Sequence, residues 1–283
     1  VNLTSSSPTS LADAREALSA GAVKVAGATD LLVIDHATGR EHKSVLNVLG
    51  IAELLGIRVV GDQLSVGAAS TFTQIRQSAE VAKHAPALIE AAATIGALQI
   101  QNRATIGGNI ANASPAGDSL PALLALGALL VLAGPSGERV VPYNGFHTGY
   151  RKTVLGEDEL IERILIPLPA PTVQIFRKVG ARAAQAISKV VVAFASDRPA
   201  ERSLGNVRLA MGSIAAVPMR LREVESLIEG EPLTRDLADR AAALVETTIS
   251  PIDDVRSTAL YRRHVAGRVV RRLLLDLLAP AEA

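Results

Sequence analysis

Apolar positions set the first elements. Leu11, Ala14 and Leu18 share one helical face. Ser10-Leu-Ala-Asp13 before them is a capping-box-like start, and Gly21 is a natural stop. A short strand is predicted over 23–26, then a turn at Gly27-Ala-Thr-Asp30 and an apolar stretch at 31–34. Runs at 45–48 and 57–60 predict strands. Gly61-Asp62 and the return run 64–67 make the second of these a hairpin. A helix opens at Thr71 and runs to Gln77, and Leu88, Ala91, Ala92 and Ile95 form the buried face of another. Residues 120–126 predict a helix and 128–132 a strand. The turn Gly134-Pro-Ser-Gly137 leads to a partner strand at 139–141.

Between these lies 104–118, dense in Gly, Asn, Ser and Pro, which is loop chemistry. Pro167, Pro169 and Pro171 make the best linker candidate in the chain. Beyond them, strands are predicted at 175–179, 187–194, 207–211 and 212–216. Helices follow at 222–228, from the Thr234 cap to 247, and over 257–278. Strands followed by helices predict an α+β unit.

Composition narrows the function classes. The 283 residues suggest two domains, and 48% hydrophobic against 20% charged residues is enough for a core. A net charge of +1 argues against a protein built to grip nucleic acid or anionic lipid. Four Phe, three Tyr and no Trp are too few for base-stacking platforms. The absence of Cys removes disulfides, zinc–thiolate sites, iron–sulfur ligation and thiol nucleophiles together. The longest apolar run, 120–133, is interrupted by Pro121 and Gly127, whereas a membrane-spanning helix needs about 20 apolar residues. The opening Val1-Asn2-Leu3-Thr4 is not a signal peptide, so the expected location is cytoplasmic, with no membrane or nucleic-acid partner.

Most catalytic signatures are missing. No G-x-G-x-x-G follows a strand, no phosphate-loop lysine motif is present, and no G-x-S-x-G elbow supports a triad. The five histidines lack metal-ligand spacing, so no metal ligand is named. The arginines from Arg256 to Arg272 read as a solvated or subunit-facing stripe. Two loops stand out, Gly27-Ala-Thr-Asp30 and Thr105-Ile-Gly-Gly-Asn109. Small residues let main-chain N–H groups approach an anion, and successive N–H groups form a concave nest for phosphate oxygens. Two such loops could converge on a diphosphate. Gly-Asn loops are also ordinary turns, and on composition both readings stand.

Taken together the motifs resemble one family, the FAD-binding medium subunit of the molybdenum hydroxylases, the group of xanthine dehydrogenase and aerobic carbon monoxide dehydrogenase. Ala26-Gly-Ala-Thr-Asp-Leu-Leu-Val33 is similar to its first flavin loop. Gln101-Asn-Arg-Ala-Thr-Ile-Gly-Gly-Asn-Ile-Ala-Asn-Ala-Ser-Pro-Ala-Gly-Asp118 is similar to its second and is the most specific signal. Gly149-Tyr-Arg-Lys-Thr-Val-Leu155, Phe176-Arg-Lys-Val-Gly180 with Ala186-Ile-Ser-Lys-Val190, and Tyr261-Arg-Arg-His264 match further blocks.

The resemblance implies an α+β chain. A two-lobed FAD-binding domain of the vanillyl-alcohol-oxidase type would span 1–168, with lobes of about 1–56 and 57–168. A smaller α+β domain would span 172–283. It implies non-covalent FAD, its pyrophosphate on main-chain N–H groups of Val25, Ala26, Gly27, Ala28, Thr29, Asp30, Leu31 and Leu32. Positions matching Ile95, Thr105, Gly107, Gly108, Asn109, Asn112, Asp118, Ile161 and Lys178 line the site in relatives. Asp118 is suited to accept from ribose hydroxyls or ring amine groups, and Lys178 to lie near the flavin edge. The implied partners are a large molybdenum-cofactor subunit and a small subunit with two two-iron two-sulfur clusters, in a dimer of heterotrimers. No residue of this chain is implied to be catalytic. The alternatives are a stand-alone FAD oxidase or dehydrogenase of the same fold and a flavin-free assembly subunit. The chain departs from the family at Ala28, where glycine is usual, and at Ile95, where some relatives have an aromatic. Gln185 stands near a position that is acidic in some NAD-reducing relatives.

Overall fold

The structure is a computed structural model that describes residues 3–19, 21–200 and 202–278. Val1-Asn2 and residues 279–283 of the two expected units lie outside the described residues.

The chain begins with a three-stranded parallel sheet, with Ser44–Asn47 between Thr4–Ser6 and Val23–Val25. Parallel neighbours need crossovers, and the helices Leu11–Ser19 and Leu31–Thr38 supply them. The stretch at 31–34 is thus the first turn of a helix. Leu11, Ala14, Leu18, Leu46, Ile51 and Leu54 form one small core.

A five-stranded antiparallel sheet follows, in the order Ile57–Val60, Gln63–Gly67, Leu160–Pro167, Leu129–Gly134, Gly137–Pro142. Its middle strand, Leu160–Pro167, is absent from the sequence reading. Glu162 and Arg163 interrupt its apolar run, and a bulge between Ile161 and Arg163 breaks strict alternation. Leu64, Val66, Leu130, Leu132, Ile164 and Ile166 bury one face of this sheet against Phe72, Leu88, Ile110 and Leu123 of the surrounding helices.

The four-stranded antiparallel sheet Val173–Val179, Val190–Ala200, Ser203–Gly212, Met219–Arg220 is buried on both faces. Val190, Val192 and Phe194 face the helices Arg222–Ile228, Arg235–Thr248 and Ala259–Leu278. The alternate residues Val191, Ala193 and Ala195 join the core of the preceding unit. Burial on both faces explains why this strand reads as a continuous apolar run. Apolar packing therefore continues across the Pro-rich segment. The strand expected over 212–216 does not form: Gly212 ends the preceding strand, and Ser213, left-handed at φ 62°, turns the chain away. No helix among the described residues is long and apolar enough to cross a membrane.

Candidate functional site

The expected loop at 104–118 contains a short helix, Ile106–Asn112. Gly107 and Gly108 are poor helix formers, but two effects override them. Thr105 caps the helix, its Oγ1 accepting from the Gly108 N–H at 3.1 Å, and Ile106 and Ile110 are fully buried. This helix and the turn at 26–30 form opposite walls of a cleft of about 590 Å³, within the roughly 300–1,000 Å³ typical of cofactor sites. Leu155, Glu157, Glu159, Leu160 and Ile161 make a third wall.

The two loops touch through glycine. A Cβ on Gly27 would lie 1.9 Å from the Arg103 carbonyl oxygen, so no other residue fits there. A Cβ on Gly107 would lie 2.6 Å from Ala68 Cβ and 2.8 Å from Ala68 O. Gly108 is exposed to the cleft, and a Cβ there would meet only Thr105 Oγ1, at 2.9 Å. Gly107 is the packing glycine and Gly108 the open one.

Donors are distributed unequally. Among the described residues, no N–H from Ala26 to Asp30 donates to a protein acceptor. Ala28 within this run is left-handed at φ 59°, and such a residue turns successive N–H groups toward one point. In the second loop the Ile106 N–H donates to Ser70 O, Gly107 to Ala68 O and Asn109 to Thr105 O. That loop presents a bare glycine surface with Thr105 and Asn109 beside it; the expectation of two converging nests is corrected to one.

All the sequence-named residues line the cleft except Leu32, Ile95, Asp118 and Lys178. Leu32 is 63% exposed, and its N–H bonds the Ala28 carbonyl. The Ile95 carbonyl accepts from Gln101 Nε2 at 3.0 Å. Asp118 and Lys178 are buried together behind the second wall, Nζ to Oδ2 at 2.6 Å. Ser188 and Thr94 also donate to the Asp118 carboxylate, and Lys178 donates to the Thr94 carbonyl at 2.9 Å. Burial pushes the Asp118 carboxyl above its ordinary value, and Lys178, Ser188 and Thr94 oppose that rise. Three side chains thus engage the carboxylate expected to accept from a ribose. Next to it, Ser119 Oγ donates to Asn109 Oδ1 at 2.7 Å, which links this cluster to the cleft wall.

The sequence reading missed the charges on the third wall. Burial lowers the Lys24 pKa against the opposing pull of Asp158, Glu157 and Glu159, and its Nζ donates to the Glu157 carbonyl. Arg139 grips Glu159 with two bonds, at 2.6 and 2.7 Å, and holds its carboxyl below the usual range. Arg151, at the tip of the hairpin formed by His147–Gly149 and Lys152–Thr153, donates to Asn112 Oδ1 at 2.9 Å and lies 3.6 Å from Asp30. The block Gly149–Leu155 was the available signal for this contact.

Comparison with known proteins gives the chain its relatives. The model described as "FAD binding domain in molybdopterin dehydrogenase" matches residues 2–169, more than half of the chain. The chain belongs to this family. The model described as "CO dehydrogenase flavoprotein C-terminal domain" matches residues 175–277. The xanthine dehydrogenase FAD-binding subunit of Escherichia coli O157:H7 is 32% identical over 261 residues, 91% of this chain and 89% of that protein. The carbon monoxide dehydrogenase medium chain of Hydrogenophaga pseudoflava is 30% identical, over 91% of this chain and 89% of that one. A solved carbon monoxide dehydrogenase structure from the same organism superposes with a TM-score of 0.91 at 28% identity, covering 96% of each chain. The protein is the FAD-binding subunit of a molybdenum hydroxylase-type oxidoreductase, and its fold pairs an FAD-binding domain with a C-terminal domain.

Proposed function

We propose that this medium subunit takes electrons from two two-iron two-sulfur clusters on a small partner subunit and passes them to a final acceptor. Those clusters would be reduced by a molybdenum cofactor on a large subunit, in a dimer of heterotrimers in the cytoplasm. Bound FAD supplies the chemistry, accepting electrons singly and delivering them in pairs. The observation that carries the reading is that, among the described residues, the N–H groups from Ala26 to Asp30 have no protein acceptor and these residues line a cleft of cofactor size.

This chain's own residues bind and position. The turn 26–30 holds the pyrophosphate through main-chain donors, and Gly108 leaves room for close approach. Thr105, Asn109, Asn112 and Ile161 line the remaining length. Asp118 and Lys178 act from behind, fixing the second wall against the C-terminal sheet. Residues 1–168 are the FAD-binding domain, with lobes of about 1–56 and 57–168, and 172–283 is the C-terminal domain. No side chain in this assignment moves a proton.

Two measurements test the reading. The purified protein is expected to carry about one FAD per chain, released by acid into the supernatant. Flavin that stays with the denatured polypeptide contradicts non-covalent binding. The flavin-loaded chain alone is expected not to oxidise a purine, an aldehyde or carbon monoxide with a dye as acceptor, and to regain activity only with its two partner subunits. Activity of the chain alone would make it a stand-alone oxidoreductase.

A further inference from the structure

The cleft has a charge mismatch. Its lining holds one cation, Lys24, and three carboxylates, Asp30, Glu157 and Glu159, among the described residues. Arg139 is committed to Glu159, and the Lys24 ammonium to the Glu157 carbonyl. A pyrophosphate carries two negative charges, and main-chain donors alone do not neutralise them.

Arg151 stands where the missing cation is needed. It sits at the tip of the hairpin, left-handed at φ 53°, and its guanidinium lies against two residues that line the cleft. Its guanidinium touches both flavin loops, through Asp30 at the end of the nest and Asn112 at the end of the helix Ile106–Asn112. The Arg151–Asp30 pair is loose, 3.6 Å apart with side chains 39% and 49% exposed, so exchanging one oxyanion for another costs little. Resting on the FAD reading above, we infer that Arg151 is a cofactor-binding residue: it keeps its bond to Asn112 and trades the Asp30 carboxylate for a pyrophosphate oxygen. The hairpin is thereby a clasp closed by the anion it holds, a role for the block Gly149–Leu155. A planar guanidinium with several donors suits this double engagement better than an ammonium.

The test is titration of the full chain, stripped of flavin, with FAD at low and high NaCl. Arg151→Ala is expected to raise the Kd for FAD roughly tenfold at low salt, the loss of one charge-assisted bond. It should also flatten the salt dependence, because a screened charge contact has gone. Arg151→Lys should retain the salt dependence and part of the affinity. Asp30→Asn removes the competing carboxylate and should lower the Kd. An unchanged Kd in Arg151→Ala, or a loss with unaltered salt dependence, overturns the inference. If Arg151→Ala does not fold, Asp30→Asn decides, and a Kd that stays the same or rises overturns it. Wild-type chain that takes up no FAD is a different result and defeats the flavin reading itself.

Discussion

The turn at 26–30 and the loop at 105–109 are alike in sequence, each with glycine, a hydroxyl side chain and a polar residue between apolar segments. In three dimensions they do opposite things. The first leaves its N–H groups unpaired around a left-handed Ala28. The second winds into a capped helix whose first N–H groups all have protein acceptors. One wall of the cleft offers donors and the other offers space. Composition does not separate these cases, because the difference lies in whether a neighbouring segment satisfies the backbone. For the second loop, Ser70 and Ala68 do so.

The largest expected effect comes from Gly27→Ala, where the two walls meet. Its methyl would overlap a backbone oxygen, which cannot rotate away, so the walls must separate. Loss of FAD binding together with a large drop in melting temperature is expected. Normal stability would show that the contact between the walls is slack.

Gly107→Ala and Gly108→Val sharpen the contrast within one helix. Overpacking against Ala68 should cost Gly107→Ala about 1–3 kcal/mol of stability, read by chemical denaturation. Gly108→Val should keep its circular dichroism and lose flavin, because its side chain enters the cleft. Full FAD occupancy in Gly108→Val contradicts the account of the second wall.

The hairpin that carries Arg151 gives a contrast in pH. His147 is buried and bonded through Nε2 to Tyr143 OH at 3.0 Å, while its Nδ1 has no partner among the described residues. Burial lowers its pKa from 6.5 to about 4. The neutral ring is favoured in the fold, so its contribution is complete above about pH 6.5 and is lost as pH falls toward 4. The integrated effect is on the order of 3 kcal/mol. Unfolding free energy measured from pH 7 to 4 should fall more steeply in the wild type than in His147→Gln. Parallel curves would remove His147 from the account.

Ala28→Gly has the smallest expected effect. A left-handed alanine carries roughly 1–2 kcal/mol of strain, and the observed φ of 59° puts Ala28 in that region. Glycine removes the strain but widens the unfolded ensemble. A gain of less than about tenfold in FAD affinity, or a modest rise in melting temperature, is expected. Weaker FAD binding would show that the backbone strain carries no energy.

What was legible in the sequence is what local pattern encodes. The helix Leu11–Ser19 follows from the spacing of Leu11, Ala14 and Leu18, the strand Val23–Val25 from its apolar run, and the family from the motif blocks. The strand Thr4–Ser6 was not read, because its three residues are all polar. The strand Leu160–Pro167 was not legible, because a bulge and two adjacent charges break its alternation. Lys178 and Asp118 were each named in the sequence but not as partners. Their bond depends on how the C-terminal sheet packs against the helix Pro86–Thr94 and on the turn before Ser119, and no local window contains both. Arg151 escaped for the same reason: its two contacts lie on segments distant in the chain.

Amide hydrogen exchange with and without FAD tests the central claim most directly, since it reads the backbone donors of both walls at once. Exchange at residues 26–30 is expected to slow when FAD is added, as unpaired N–H groups acquire phosphate acceptors. Exchange at Ile106, Gly107 and Gly108, already bonded within the protein, should change little. FAD binding that leaves 26–30 unprotected, or protects only 106–108, would contradict the assignment of donors to the first wall.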